Sequence, residues 1–327
     1  MSKEKLSNSE LLDDLLLQGT KSPLFSYLSS QVIALCQSLG IEDRQRILNN
    51  LEQLWLPTAL DLATKRRKLN RTPIQGVLGG QGTGKSTLCL VLKSILNALD
   101  FSVATLSIDD LYLTYAERQA LQQQDPRLIW RGPPGTHDLE LGMRVIERCL
   151  HMDGTAKILL PRFDKSAFGG AGDRDVPEII TKPDILLFEG WFVGVRPVSE
   201  NCFERPPAPI TTPEDIQFAK DSNRRLRAYL PLWDKLDSLI VLYPEDYRLS
   251  QQWRKEAEQK MIATGRTGMS DEEIDRFVEY FWKSLHPELF IKPLIDTADL
   301  VVEIKGDRTL GKIYNKQESK SAKKSTF

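Results

Sequence analysis

Gly79-Gly80-Gln81-Gly82-Thr83-Gly84-Lys85-Ser86-Thr87 decides the fold. The stretch matches G-x-x-x-x-G-K-[ST] in full. Glycine reaches left-handed backbone conformations without a Cβ penalty, so successive N–H groups can turn inward around phosphate oxygens. A helix starting near Lys85 points its positive end at the same anion. The pattern assigns Lys85 to the β and γ phosphates of a nucleotide and Ser86 to a Mg²⁺ ion. An apolar run at 74–78 precedes the loop and a helical pattern at 85–99 follows it, which is the strand–turn–helix context the motif needs. The expected nucleotide contacts are therefore Gly79, Gly80, Gln81, Gly82, Thr83, Gly84, Lys85, Ser86 and Thr87.

Outward from the loop, short apolar runs alternate with helical periodicity. Runs at 103–108, 158–161, 185–188, 239–243 and 300–304 read as strands. The segments 139–152, 248–264 and 271–285 read as helices, the last with Ser270 and Glu273 as a capping box. Alternation of this kind predicts an α/β fold, a three-layer α/β/α sandwich of the P-loop NTPase type with a mainly parallel sheet. Before it, residues 1–70 read as a helical extension. Leucines 11, 12, 15 and 16, then Leu28, Val32, Leu35 and Leu39, recur at helical spacing, and a third helix at 43–68 ends in Lys65-Arg66-Arg67-Lys68. The domain divides as 1–70 extension, 71–310 nucleotide-binding domain and 311–327 disordered polar tail. The proline-rich stretch 204–213 reads as a surface loop.

Composition removes several function classes. With 44 basic and 45 acidic residues among 327, the chain is not a strongly basic nucleic-acid binder. Four scattered cysteines form no C-x-x-C pair, which favours a reducing compartment over a disulfide framework or zinc ribbon. Three histidines are too few for a histidine-rich metal site. No apolar run approaches about 18 residues, and the N-terminus lacks a secretory apolar core, so a soluble, cytoplasmic chain with no membrane partner is expected. The oligomeric state is left open, with a monomer compatible.

Two acids follow the loop in useful places. Ser107-Ile108-Asp109-Asp110-Leu111-Tyr112 puts carboxylates at the end of the second strand, which faces the ligand crevice of an open α/β sheet. There Asp109 can orient an acceptor hydroxyl and take its proton. A turn or helix N-cap is the other reading of both acids, and the better one for Asp110. The run 185–188 ends in Glu189, where a carboxylate meets Mg²⁺ or its water. A guanine-reading N-K-x-D is missing. Asn315-Lys316-Gln317-Glu318 is the near match and lacks the Asp, which argues against a GTPase.

Together, GxxxxGKST, SIDDLY and LLFEGW resemble the branch of P-loop kinases that holds uridine kinase, phosphoribulokinase and pantothenate kinase. Within it the chain is most similar to D-glycerate 3-kinases of the plant and cyanobacterial type. The resemblance spans about residues 50 to 304. It rests on RGPPGTHD from Arg131, PRFDKSAF from Pro161, Gly172-Asp173-Arg174, Trp233-Asp234-Lys235, QWRKEAE from Gln252 and GMSDEE from Gly268. Leu111 stands where the branch often has Phe, and the 131 segment is richer in proline than usual. The resemblance implies ATP- and Mg²⁺-dependent phosphorylation of the 3-hydroxyl of D-glycerate, with Asp109 as base and Glu189 on the magnesium side.

A small hydroxy acid requires a cation for its carboxylate. The candidate acceptor contacts are Asp109, Tyr112, Arg131, His137, Lys165 and Arg174, with Arg131, Lys165 and Arg174 favoured for the carboxylate. Arg162 is a weaker candidate, and His137 could instead cap the helix at 139. Transfer to an alcohol must exclude water, so the segment 248–270 reads as a lid. Its Arg254 and Arg266 are candidates for nucleotide or γ-phosphate contact, while an exposed helix with salt-bridged arginines is the other reading. Trp253 reads as core rather than as an adenine stack. Two further functions stay open. One is another small-molecule kinase of the same branch. The other is an ATP-binding regulatory protein, disfavoured because Lys85, Ser86, Asp109 and Glu189 are all present.

Overall fold

Every residue of β1 (Ile74–Gly79) is buried, and the phosphate loop leaves its carboxyl end. The computed structural model describes residues 22–263 and 268–315, with Asp13 and Leu15 before them. Strand β2 (Val103–Ser107) follows, and β3 (Ile158–Asp164), β4 (Asp173–Ile180), β5 (Ile185–Gly190), β6 (Ser238–Pro244), β7 (Leu300–Ile304) and β8 (Leu310–Asn315) complete the set. The main sheet has the order β2-β5-β1-β6-β7-β8, parallel except for β8. Register pairs Val77 of β1 with Glu189 on one side and Ile240 on the other. A parallel strand covered on both faces must be apolar throughout, which is why these strands read as continuous runs.

Helices cover both faces. On one side lie α1 (Pro23–Ser38), α2 (Arg44–Asn50), α3 (Leu56–Leu69) and α4 (Lys85–Ala98). Val32, Cys36, Leu51 and Leu62 pack there against Val91, Leu92 and Ile95 of α4 and against Val77 and Leu187 of the sheet. The helix expected over 43–68 is interrupted by a π-helical turn, Leu51–Trp55. Pro57 has no N–H to donate and crowds the carbonyl four residues back, which opens the ladder at that turn. The other face carries α6 (Leu139–His151), with Val145, Ile146 and Cys149 packed against Leu186, Phe188 and Trp233. Among the described residues, no helix is long and apolar enough to cross a membrane.

The structure corrects several expectations. The strand expected at 158–161 is not in the main sheet: β3 pairs antiparallel with β4 in a separate two-stranded sheet. Pro177 and the charged residues of β4 suit a small exposed ribbon and not a buried ladder. The ordered domain runs past residue 310, because Leu310 and Ile313 of β8 pack on the core beside β7. Residues 316–327 of the expected tail lie outside the described residues, as does the first leucine cluster apart from Leu15. Two helices had no apolar stripe to announce them. They are α5 (Tyr115–Gln124), with a Thr114/Glu117 capping box, and α7 (Pro213–Arg225), with a Thr212/Asp215 box. The proline-rich segment before α7 is anchored by buried Ile210. Finally, α8 (Leu249–Ala263) and α9 (Asp271–Ser284) stand against each other, and Glu258 of α8 accepts from the Met269 N–H.

One side chain fixes where β1 begins. Asp237 accepts from the Ile74 N–H at 2.8 Å and from Arg71 at 2.5 and 2.9 Å. Replacing it strands a backbone donor at the entry of the strand that carries the loop. Asp237→Ala is expected to lower the unfolding free energy by about 1–3 kcal/mol. A urea melt should show a lower midpoint at unchanged slope; an unmoved midpoint would remove Asp237 from this role.

Candidate active site

The loop turns at Gly82 (φ 79°) and Gly84 (φ 87°), both left-handed, and α4 starts at Lys85. Gly82 also meets a neighbour: a Cβ there would lie 2.5 Å from the Trp253 Cβ. Trp253 is buried, and its indole N–H donates to the Gly306 carbonyl at 3.1 Å. It is therefore a core residue that packs on the loop.

Lys85 and Ser86 face the end of β5. The Ser86 hydroxyl donates to Glu189 Oε1 at 3.2 Å, and Lys85 Nζ stands 4.0 Å from Oε2. Glu189 is buried, and its Oε2 has no hydrogen-bond partner among the described residues. Burial raises its pKa; the Lys85 charge opposes this and the Asp109 charge adds to it. An unpartnered carboxylate oxygen beside a hydroxyl is a hard-oxygen donor set of the kind Mg²⁺ takes. Among the described residues, no group of three or more His, Cys, Asp and Glu could hold a metal by itself. That fits an ion held largely by phosphate oxygens and water.

Asp109 sits in the turn Ile108–Leu111 directly after β2. Its Oδ1 accepts from the Tyr112 hydroxyl at 2.8 Å, and its Oδ2 from Lys165 Nζ at 2.7 Å. Burial alone would raise its pKa. The Lys165 and Lys85 charges and both hydrogen bonds outweigh burial and hold it below the usual carboxylate range. Asp110 has the local role: its carboxylate accepts from the Ser107 N–H at 3.0 Å and pairs with Arg162 at 3.1 Å.

Tyr112 is buried and stacks on His137 with centroids 4.7 Å apart. His137 Nδ1 lies 2.8 Å from the Tyr229 hydroxyl, which also accepts from the Gly135 N–H at 2.8 Å. With one lone pair engaged by Gly135, the Tyr229 hydroxyl still has a proton and a second lone pair for Nδ1, so this contact holds the orientation of the ring. Burial lowers the His137 pKa to about 3, and the ring is neutral at physiological pH. Its Nε2 is buried with no partner among the described residues.

The remaining candidates separate. His137 does not cap α6; Asp138 does, accepting from the Leu141 N–H at 2.8 Å. Arg174 pairs with Asp138 at 2.7 Å, so it is already engaged by a carboxylate. Arg162 is held by Asp110 and Glu178. Arg254 pairs with Glu258 at 2.8 Å and lies over Phe277. That is the salt-bridged reading, and in this conformation it contacts no group of the loop. Arg266 lies outside the described residues. Arg131 donates to the Gly170 and Ala171 carbonyls at 2.7 and 2.9 Å. Sequence reading missed two contributors. Tyr229 holds the His137 ring through Nδ1, and Arg118 of α5 reaches the loop that carries Lys165. The Thr114-x-x-Glu117 box was the available signal for α5, and nothing local announces Tyr229.

No family model matches the chain. D-glycerate 3-kinase, chloroplastic, of Arabidopsis thaliana is 35% identical over 228 residues, 66% of this chain and 48% of that protein. The chain thus spans about half the length of this plant relative. The uncharacterized kinase mug58 of Schizosaccharomyces pombe is 35% identical over 217 residues, 64% of this chain and 78% of its own. Among solved structures, D-glycerate 3-kinase from Cryptococcus neoformans superposes with a TM-score of 0.70 at 27% identity, over 80% of this chain and 99% of that one. A parallel sheet with a phosphate loop after β1, acids after β2 and β5, and these relatives lead to one statement: the chain belongs to the P-loop kinase family that includes D-glycerate 3-kinase.

Proposed function

We propose that the protein transfers the γ-phosphoryl group of ATP to the 3-hydroxyl of D-glycerate, giving 3-phosphoglycerate and ADP. The observation that carries this reading is the half-buried Asp109, held between Lys165 and Tyr112 at the crevice edge of the sheet. The names of the plant and Cryptococcus relatives supply the acceptor.

The loop N–H groups and the α4 N-terminus bind the β and γ phosphates, and Lys85 neutralises their charge. Ser86 Oγ and Glu189 Oε2 would hold Mg²⁺, which when bound screens the phosphate oxygens. Asp109 orients the acceptor hydroxyl and receives its proton as the oxygen attacks the γ-phosphorus. The bond from phosphorus to the β,γ-bridging oxygen breaks, and ADP leaves with the electron pair. A carboxylate of low pKa suits this, because proton transfer runs late in a loose phosphoryl transition state. Nε2 of the neutral His137 ring, which has no protein partner among the described residues, is available to bond an acceptor oxygen, and Lys165 adds positive charge at the point of attack. The segment 248–270, with α8, would close as the lid, and Arg254 would then leave Glu258 for phosphate.

A coupled ADP-release assay against D-glycerate, L-glycerate, uridine, pantothenate and ribulose 5-phosphate is expected to show the highest kcat/KM with D-glycerate. Equal or faster turnover of another acceptor would overturn the substrate assignment. Asp109→Asn should lower kcat by about 10²-fold or more while ATP binds as in the parent. Full activity would take Asp109 out of the base role.

Glu189 gives a prediction of opposite sign for stability and function. Burial lifts its folded pKa above the unfolded value. The stability it contributes is present below the ordinary carboxylate range and is lost as pH rises through the raised value. At neutral pH the ionised group therefore costs stability in the ligand-free protein. Glu189→Gln should melt no lower than the parent without ligand, yet gain less from added Mg-ATP. A lower ligand-free melting temperature with an undiminished Mg-ATP shift would contradict both roles.

A further inference from the structure

Two guanidinium groups converge on the loop that joins β3 to β4. Arg131 donates to the carbonyls of Gly170 and Ala171. Arg118, in the first turns of α5, donates to the next carbonyl, Gly172. Both lie over one aromatic ring, Phe163, at 5.3 Å for Arg118 and 5.5 Å for Arg131. Phe163 meets Tyr112 edge-on at 5.0 Å, and Arg131 stands 5.9 Å from the Tyr112 ring. Tyr112 is the residue that holds Asp109. Arg131 is therefore one ring away from Asp109, and Arg118 two.

Neither cation is held in a close ion pair among the described residues. Lys165, Arg174 and Arg162 each have a carboxylate partner. Among the described residues, no carboxylate forms an ion pair within 4.0 Å with either Arg118 or Arg131. The neighbouring Asp173 already accepts from the backbone N–H groups of Tyr115 and Arg174. Arg118 is 9% exposed, and its Nη1 is buried with no hydrogen-bond partner. A guanidinium cannot shed its proton to escape this cost. Burial first, and the Arg131 charge second, depress the Arg118 pKa, and the Asp173 charge, beyond ion-pair distance, offsets only part of this. A buried cationic donor with no protein partner, beside a second cation, suits an anion with paired oxygens.

We propose that Arg118 and Arg131 form the carboxylate subsite of the acceptor pocket, with Arg118 Nη1 as the donor that selects a small hydroxy acid over a neutral alcohol. This rests on the reading of Asp109 as the base for the acceptor hydroxyl. Lys165 is occupied by Asp109 and Arg174 by Asp138, so neither of these sequence candidates fills the role. A neutral polyol leaves Nη1 unpaired, and a site with a stranded polar group rejects such a ligand strongly.

Steady-state kinetics with D-glycerate and with glycerol, at saturating ATP, test the subsite in the parent, Arg118→Gln and Arg118→Lys. Arg118→Gln should raise KM for D-glycerate by about 10²-fold, a loss on the scale of one buried charge-assisted contact. Its kcat should change little and KM for ATP should stay at the parent value. Its kcat/KM for glycerol should not fall, and Arg118→Lys should recover part of the loss. A residue that only anchors the loop would depress turnover of both acceptors alike, and that result overturns the proposal. If Arg118→Gln does not fold by circular dichroism, Arg118→Lys and Arg131→Gln are judged by the same ratio. Calorimetric titration of D-glycerate in the presence of a non-hydrolysable ATP analogue separates this proposal from the one it rests on. Binding without turnover in the parent, lost in the variant, keeps the subsite and rejects the kinase substrate. Equal binding by parent and variant, or none by either, rejects the subsite.

Discussion

Two carboxylates at the ends of adjacent strands must both stay ionised for the site to exist. Ser107, at the end of β2, pairs in register with Glu189 of β5, and Asp109 follows two residues on. Each acid raises the cost of charge on the other, and burial adds to it. Lys85 and Lys165 offset this by standing beside one acid each. The cost is unequal: Asp109 keeps two close donors and falls below its usual range, while Glu189 keeps an open oxygen and rises. The open oxygen is the one suited to a cation. The alternation of charge is thus what turns a sheet edge into a place for a polyanion and its metal.

The rest of the fold holds that edge still. β1 is clamped between β5 and β6, and Asp237 with Arg71 pins its first residue. Helix α4 is held from behind by α1 to α3, whose apolar residues enter the same core cluster. On the opposite face, the Tyr229 hydroxyl ties the Gly135–His137 segment to the second core. The near balance of 44 basic and 45 acidic residues conceals this arrangement. Most cations around the crevice are matched by acids, and the exceptions are concentrated where phosphate and acceptor would enter.

Legibility in the sequence followed burial. β1, β2, β5, β6 and β7 could be read because strands covered on both faces must be apolar at every position. β4, β8, α5 and α7 could not, because each is half-exposed and charge interrupts its pattern, and β3 was legible as a strand at 158–161 but not in its separate pairing with β4. In the site, Lys85, Ser86, Asp109 and Glu189 were legible because each sits at a fixed offset from a strand end. The cations were not. Whether Arg174, Arg131 or Arg118 is free depends on which carboxylate folds against it, and Asp138 and Asp173 come from different elements. Local spacing carries no record of that pairing. Tyr229 is the sharper case: it holds the His137 ring by its Nδ1 from a position 92 residues away.

The contact of Trp253 with Gly82 ties the phosphate loop to α8. Only a residue without a side chain lets the indole come that close, so loop and helix share one surface. Any swing of α8 must peel a large ring off the loop backbone and break its hydrogen bond to Gly306. The loop then loses a wall on its open side at the moment the helix leaves. The indole at this joint would register any such movement, which makes it an optical reporter of the contact between loop and helix.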